Sequence, residues 1–225
     1  MNTSVEHTDF SGAMALLRDC VGGKAGERLL IVSEPESFGV YDHLAAEQAA
    51  AAGRALGMFV YEMESHEFVN NDEEKAILLD SLRGFDHIVF FSRVGDQIRF
   101  SSLESVPSTT MCYTLNQDSL NSKFGTACHD GMAEVKQAID TAFETSEFIR
   151  VTCPLGTDYH GTPAWAWNTQ KEVSVKRFPL LVPQPIPSAG FSGKVALSRF
   201  LIGTGSNFYD PYHLALPRDV LAHVE

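Results

Sequence analysis

The densest run of residues able to do chemistry is Val151-Thr-Cys-Pro-Leu-Gly-Thr-Asp-Tyr-His-Gly161. A strand broken at Pro154, with Gly156 free to take an unusual backbone angle and Thr157 and Asp158 able to bond nearby amides, makes a tight turn between strands. The same residues read a second way. Asp158, Tyr159 and His160 then form a polar trio beside a cleft, where His160 serves as a general base. Trp165 and Trp167 lie two apart and share one face if they belong to a strand. They either pack on the domain or wall a cleft for a peptide or an aromatic ligand. Phe208-Tyr-Asp-Pro-Tyr-His213 is a second aromatic and ionisable turn. It is either a solvated loop or, through Tyr209, a rim of the same cleft.

Cys128-His129-Asp130 is the tightest cluster of metal-type side chains. Adjacent residues point apart on a helix or strand, so three in a row seldom chelate together. The cluster reads as a loop capping the next helix, with Asp130 as N-cap. Its functional reading places His129 at a polar corner on the C-terminal edge of a sheet, where α/β folds bind ligands. No H-E-x-x-H, C-x-x-C or G-x-S-x-G occurs, which removes the usual zinc-protease, zinc-finger and serine-hydrolase signatures. No G-x-G-x-x-G follows the first strand. The turn there, Glu34-Pro-Glu-Ser-Phe-Gly39, carries two acids that would repel a pyrophosphate, so no nucleotide cofactor is expected.

The elements that must position these residues alternate. Phe10 to Cys20 has helical spacing and ends at Gly22-Gly23; Arg28-Leu-Leu-Ile-Val-Ser33 is a short buried strand. An alanine-rich helix spans Tyr41 to Leu56, and Met58 to Met63 is a second strand. Asn71 caps a helix running to Arg83, Asp86 to Ser92 is a third strand and Thr109 to Leu115 a fourth. Helices follow near Asp118–Lys123 and Met132–Phe143, and Phe148 to Thr152 is a further strand. Short β-α-β connections imply a doubly wound, mostly parallel, Rossmann-like α/β sheet with helices on both faces.

Near residue 154 the texture changes, since eight of the ten prolines lie at or beyond Pro154. Lys171 to Arg177, Lys194 to Ile202 and Leu214 to Val224 read as strands, and Pro179 to Pro187 as an irregular crossing. The expected division is a Rossmann-like domain over 1–150 and a small β-rich lobe over 151–225.

The charge balance, 17 Lys and Arg against 29 Asp and Glu for a formal net charge of -12, disfavours nucleic acid as a partner. No apolar run approaches the roughly 20 residues that cross a membrane. The polar Met1 to Phe10 is not a signal peptide, so a cytoplasmic location is expected. In such a reducing compartment the four cysteines are expected as buried apolar thiols, with Cys112 inert in its strand.

Three stretches carry a family resemblance: Glu27-Arg-Leu-Leu-Ile31 followed by the alanine-rich helix, the turn Val151-Thr-Cys-Pro-Leu-Gly-Thr-Asp158, and Phe191-Ser-Gly-Lys-Val195. Together they resemble the N-terminal domain of the aminopeptidase T family, which includes the related 2,5-dihydroxypyridine 5,6-dioxygenases. The resemblance covers most of the chain at low identity. It implies a cleft for peptides or small aromatics and self-association into a homo-oligomer. It also marks a departure. Lys194 stands where the aminopeptidases carry a glutamate that binds metal, and an ammonium repels a cation. The family's other metal ligands lie in a C-terminal portion this chain lacks, and its last strand resembles the one that leads there.

The expectation is therefore an enzyme without metal or other cofactor that modifies a peptide or peptide-like substrate, for instance by cyclisation in natural-product maturation. His160, Asp158 and Lys194 would do the acid–base work, and Tyr159, Trp165, Trp167, Tyr209 and His129 would contact the substrate. Two alternatives stand beside it: a non-catalytic peptide-binding or partner protein, and a fragment of a longer metal-dependent aminopeptidase or ring-cleaving dioxygenase.

Overall fold

The structure is a computed structural model describing residues 10–65, 71–99, 108–165, 175–202 and 213–225. The chain divides into two compact units, residues 1–134 with 173–182 and residues 135–172 with 183–225.

The first unit is built on a five-stranded, all-parallel sheet. Its strands are β1 (Arg28–Ser33), β2 (Phe59–Glu64), β3 (His87–Phe91), β4 (Ser108–Cys112) and β7 (Lys176–Phe178), in the order β2-β1-β3-β4-β7. The interior strands bury unbroken runs, Leu29 to Val32 and Ile88 to Phe91, as expected where both faces are covered. The steps β1 to β2 and β2 to β3 run in opposite directions across the sheet. Right-handed crossovers then put their helices, α2 (His43–Ala55) and α3 (Asp72–Ser81), on opposite faces. The expected doubly wound α/β class is the class observed.

Local chemistry sets the helix boundaries. Asp42 caps α2 by accepting the Ala45 amide at 3.1 Å, and Asn71 caps α3 by accepting the Glu74 amide at 2.9 Å. Helix α2 turns Ala45, Ala46, Ala49, Ala50, Ala52 and Gly53 inward. A Cβ on Gly53 would lie 2.9 Å from both Leu29 and Val60, so this alanine-rich face is what allows close helix-to-sheet packing. α1 (Ser11–Met14) runs on through a π-helical turn, Ala15–Val21, and packs against α2 and α5 (Gln117–Asn121). A short helix, α4 (Val94–Ile98), follows β3 where the sequence reading placed none.

Helix α6 (His129–Glu144) carries the chain into the second unit. There β5 (Ile149–Thr152), β6 (Asp158–Gly161), β8 (Ser192–Leu197) and β11 (Val220–Val224) form an antiparallel sheet in the order β11-β8-β6-β5. β9 (Phe200–Ile202) and β10 (His213–Ala215) pair separately. The two long strands read from sequence, Lys194 to Ile202 and Leu214 to Val224, are thus each two shorter ones. Arg199, at φ 67°, separates the first pair, and Leu216 to Asp219 separates the second.

The 179–187 crossing is irregular, as its prolines require, and is tied to α6. Asp140 accepts the Gln184 amide at 2.8 Å and the Lys136 ammonium, while the Gln184 side chain donates to Glu144 at 2.7 Å. The division of the chain also differs from a cut at residue 150. β5 pairs with β6 in the second unit, whereas β7, far along the chain, returns to the parallel sheet beside β4.

Candidate functional site

Antiparallel register decides which predicted residues meet. Thr152, Asp158, Lys194 and His223 stand opposite one another across all four strands, and Arg150, His160 and Ser192 form the adjoining row. Side chains alternate along a strand, so these seven share one face. Ile149, Tyr159, Val195 and Ala222 belong to the other. The expected trio is therefore split. Tyr159 packs its ring 5.3 Å from that of the buried Phe191, on the face opposite Asp158 and His160.

Arg150 holds Asp158 in a two-pronged pair, Nε to Oδ1 and Nη2 to Oδ2, each at 2.8 Å. The guanidinium hydrogen bonds keep the Asp158 carboxyl below its ordinary pKa, with its charge and those of His160 and Lys194 adding to the effect. Both oxygens thus go to a neighbouring arginine rather than to the local amides the sequence suggested. His160 sits half-exposed at 44%, with Nδ1 3.9 Å from Asp158 Oδ1 and its ring 5.7 Å from that of Phe148. That separation is outside hydrogen-bond range, and Nδ1 itself is buried without a partner. Lys194 is exposed, and among the described residues no carboxylate lies within ion-pair distance of it.

The other predicted contacts are dispersed. Trp165 is half-buried just after β6, its indole Nε1 shielded and without a hydrogen-bond partner. His129 opens α6 in the first unit, where Asp19 is its charged neighbour. Because α6 begins at His129, Asp130 lies in its first turn and is not the N-cap. Trp167 and Tyr209 fall outside the described residues.

The turn between β5 and β6 closes through Gly156 N–H to Cys153 O, 3.1 Å, and Cys153 N–H to Thr157 O, 3.2 Å. The Thr157 hydroxyl accepts the Ala196 amide at 3.0 Å, leaving its proton for the Cys153 sulfur. That hydrogen bond, helped by the Thr157 amide, brings the Cys153 thiol below its ordinary pKa. The expectation of four buried thiols is corrected here: Cys20 and Cys112 are buried, but Cys128 and Cys153 are exposed. Cys153 lies in the five-residue link between β5 and β6, which is too short to bury its own side chains.

A second polar group, unnoticed in the sequence, occupies the C-terminal end of the parallel sheet. It lies where β1 and β3 adjoin and the winding reverses, the place where such sheets bind ligands. Glu34, only 2% exposed, accepts the Arg93 amide at 3.0 Å and its Nε at 3.0 and 3.1 Å. The Arg93 guanidinium lies 5.3 Å from the centre of the Phe38 ring. Ser65 Oγ bonds Ser33 O at 3.0 Å and Ser92 Oγ at 2.7 Å. Further along, the Tyr113 hydroxyl donates to Asp96 at 2.7 Å, and Arg99 pairs with the same oxygen at 3.0 Å. Burial, then the Asp96 charge, pushes the Tyr113 hydroxyl well above its ordinary pKa. Glu34 is thus neutralised rather than free to repel an anion, leaving Glu36 as the exposed acid of that turn. The available signal was an acid directly after one buried strand and an arginine just after another.

Among the described residues no three His, Cys, Asp or Glu side chains gather as a metal site, and no helix is long and apolar enough to cross a membrane. A scan of protein-family models finds no match to the chain, and a search of curated proteins finds none either.

Proposed function

We propose that this chain is an enzyme that modifies a peptide or peptide-like substrate by general acid–base chemistry on the polar face of the antiparallel sheet. The observation that carries the reading is the convergence of His160, Asp158 and Lys194 on adjacent strands, with Asp158 held ionised by Arg150. In this reading a small turn of the imidazole brings Nδ1–H onto Asp158, which fixes Nε2 as the proton acceptor. A substrate amine or hydroxyl attacks a carbonyl carbon and gives its proton to Nε2. The Lys194 ammonium holds the substrate against this face, and His160 returns the proton to the leaving group as the carbonyl re-forms. With both nucleophile and carbonyl on one peptide the product is a ring, which suits natural-product maturation.

The donor set does not fit a divalent ion, since Lys194 is cationic and both Asp158 oxygens are engaged by Arg150. The proposed chemistry is accordingly metal-free, and the resemblance to the aminopeptidase T family supports peptide-like substrates only. Turnover of candidate linear peptides, followed by mass spectrometry, tests the reading. It should persist with a chelator and fall at least about a hundredfold in His160→Ala, the usual worth of a general base. Chelator-sensitive turnover, or full activity in His160→Ala, would end it.

One observation favours a second reading. The 3.9 Å gap between His160 and Asp158 leaves the dyad unmade, which suits a peptide-binding protein without catalysis. Peptide binding with no turnover under any condition would decide for it.

A further inference from the structure

We infer that this polar face seats a free carboxylate, so that the ligand is a peptide or acylated amino acid with an unblocked C-terminus and a small apolar side chain. The inference rests on the proposed function for the ligand's peptide character; the carboxylate preference comes from the charges alone. In a chain with a net charge of -12, a local excess of basic groups is informative. Each of the four strands contributes one to this face: Arg150, His160, Lys194 and His223. The acids nearby are Asp158 and, two residues beyond His223 at the end of β11, Glu225.

Asp158 stands opposite Lys194, but its charge is matched by Arg150, to which both its oxygens bond at 2.8 Å. Lys194 therefore presents an exposed ammonium flanked by His160 on one neighbouring strand and His223 on the other. His223 stands directly opposite Lys194, about 5 Å away in such a sheet, and His160 lies on the diagonal at about 7–8 Å, distances that the long lysine side chain can bridge to a shared carboxylate. The ligand chemistry follows from what is left over. Arg150 gives its Nε and Nη2 donors to Asp158, which offsets its charge, so a phosphate dianion would meet Lys194 as its one further cation on this face. A single point charge with two imidazoles matches a monoanion. The next row on the same face is Ala196 opposite Leu221, the latter 45% exposed, which offers apolar surface for the side chain next to that carboxylate.

Titration calorimetry on the full chain tests this with N-acetyl-leucine, N-acetyl-leucinamide and inorganic phosphate as probes. The acid should bind at least about tenfold more tightly than the amide, and more tightly than phosphate. Lys194→Met, which keeps the stem, should abolish the preference, and Lys194→Arg should retain it. Equal binding of acid and amide, no binding of either, tighter binding of phosphate, or a preference unchanged in Lys194→Met each overturns the inference. The outcomes separate from those of the catalytic reading. Acid-selective binding without turnover keeps this inference and removes catalysis, whereas turnover without acid selectivity does the reverse.

Discussion

Arg150 and Asp158 face one another diagonally across the β5–β6 hairpin and are joined by two parallel hydrogen bonds of 2.8 Å. This pair organises the polar face. It fixes the charge of the acid between His160 and Lys194, and it commits the Nε and Nη2 donors of the guanidinium on this face. What is left on it to act on a ligand is an imidazole, an ammonium, a hydroxyl or the outer edge of that guanidinium.

The pair predicts a titration. Asp158 is held below its ordinary pKa mainly by the Arg150 hydrogen bonds, so Arg150→Gln should move it up toward the usual value of about 3.9. A carboxyl depressed in the folded state contributes stability that is present above its unfolded pKa and lost as pH falls through the folded one. Loss of this contribution in the native protein therefore lies on the acid side of about 3.9. Carbon-detected NMR of the Asp158 carboxyl gives the readout, and an unchanged midpoint in Arg150→Gln would count against the pair as cause.

Gly193 predicts a local failure. It has φ 131°, and a Cβ there would lie 2.1 Å from the Asp158 carbonyl oxygen. That atom belongs to the main chain of β6 and cannot swing aside. Gly193→Ala must therefore part β8 from β6 or strain both, at a cost of about 2 kcal/mol or more. Urea unfolding should show the loss, and amide exchange should rise in β6 and β8 ahead of β1 and β3. A variant as stable as the parent would show that the two strands can separate freely at this point.

Much of this was legible from local pattern, and what was not depended on partners far apart in the chain. The bounds of β1, Arg28–Ser33, follow from one apolar run between turn residues, and the Asn71 cap from its side chain and the acids after it. α4 carries no such sign, because Arg93 at its start makes no side-chain cap. β5 looks like any short strand of an alternating series. The tight Pro154–Gly156 turn makes it a hairpin arm, since a parallel partner needs a crossover of a dozen residues or more. β7 has three residues and joins a sheet whose other strands end long before it, which no local periodicity announces. At the site, the type of His160 and its spacing from Asp158 were visible. The separation of Tyr159 from both follows from strand alternation, once the segment is known to be a strand. Glu34 and Arg93, 59 residues apart, could be paired only by folding.

That buried pair predicts non-additivity. Glu34 and Arg93 have side chains 2% and 11% exposed, so removing one leaves the other charged in a place that water barely reaches. Glu34→Ala or Arg93→Ala alone should cost about 3–5 kcal/mol in denaturant unfolding. The double variant should cost clearly less than the sum, because neither charge is then stranded. Strict additivity would mean that the two groups are solvated independently.

The cysteines give the last prediction, because their chemistry differs within one chain. Burial pushes the Cys20 thiol up to about 11 and the Cys112 thiol up to about 12, so at pH 8 neither supplies appreciable thiolate or access. Cys153 is exposed, and the Thr157 hydroxyl draws its pKa down. Iodoacetamide on the folded chain should therefore modify Cys153 and the exposed Cys128, and reach Cys20 and Cys112 only after unfolding. Thr157→Val removes the hydroxyl and should slow Cys153 by about threefold or more, while Cys128 serves as an unchanged internal standard. Thr157→Ser keeps both the donor to sulfur and the acceptor for the Ala196 amide, so it should restore the rate. Peptide mapping by mass spectrometry reads all four sites at once. A Cys153 rate insensitive to Thr157→Val would show that the turn's amides, not the hydroxyl, govern the thiol.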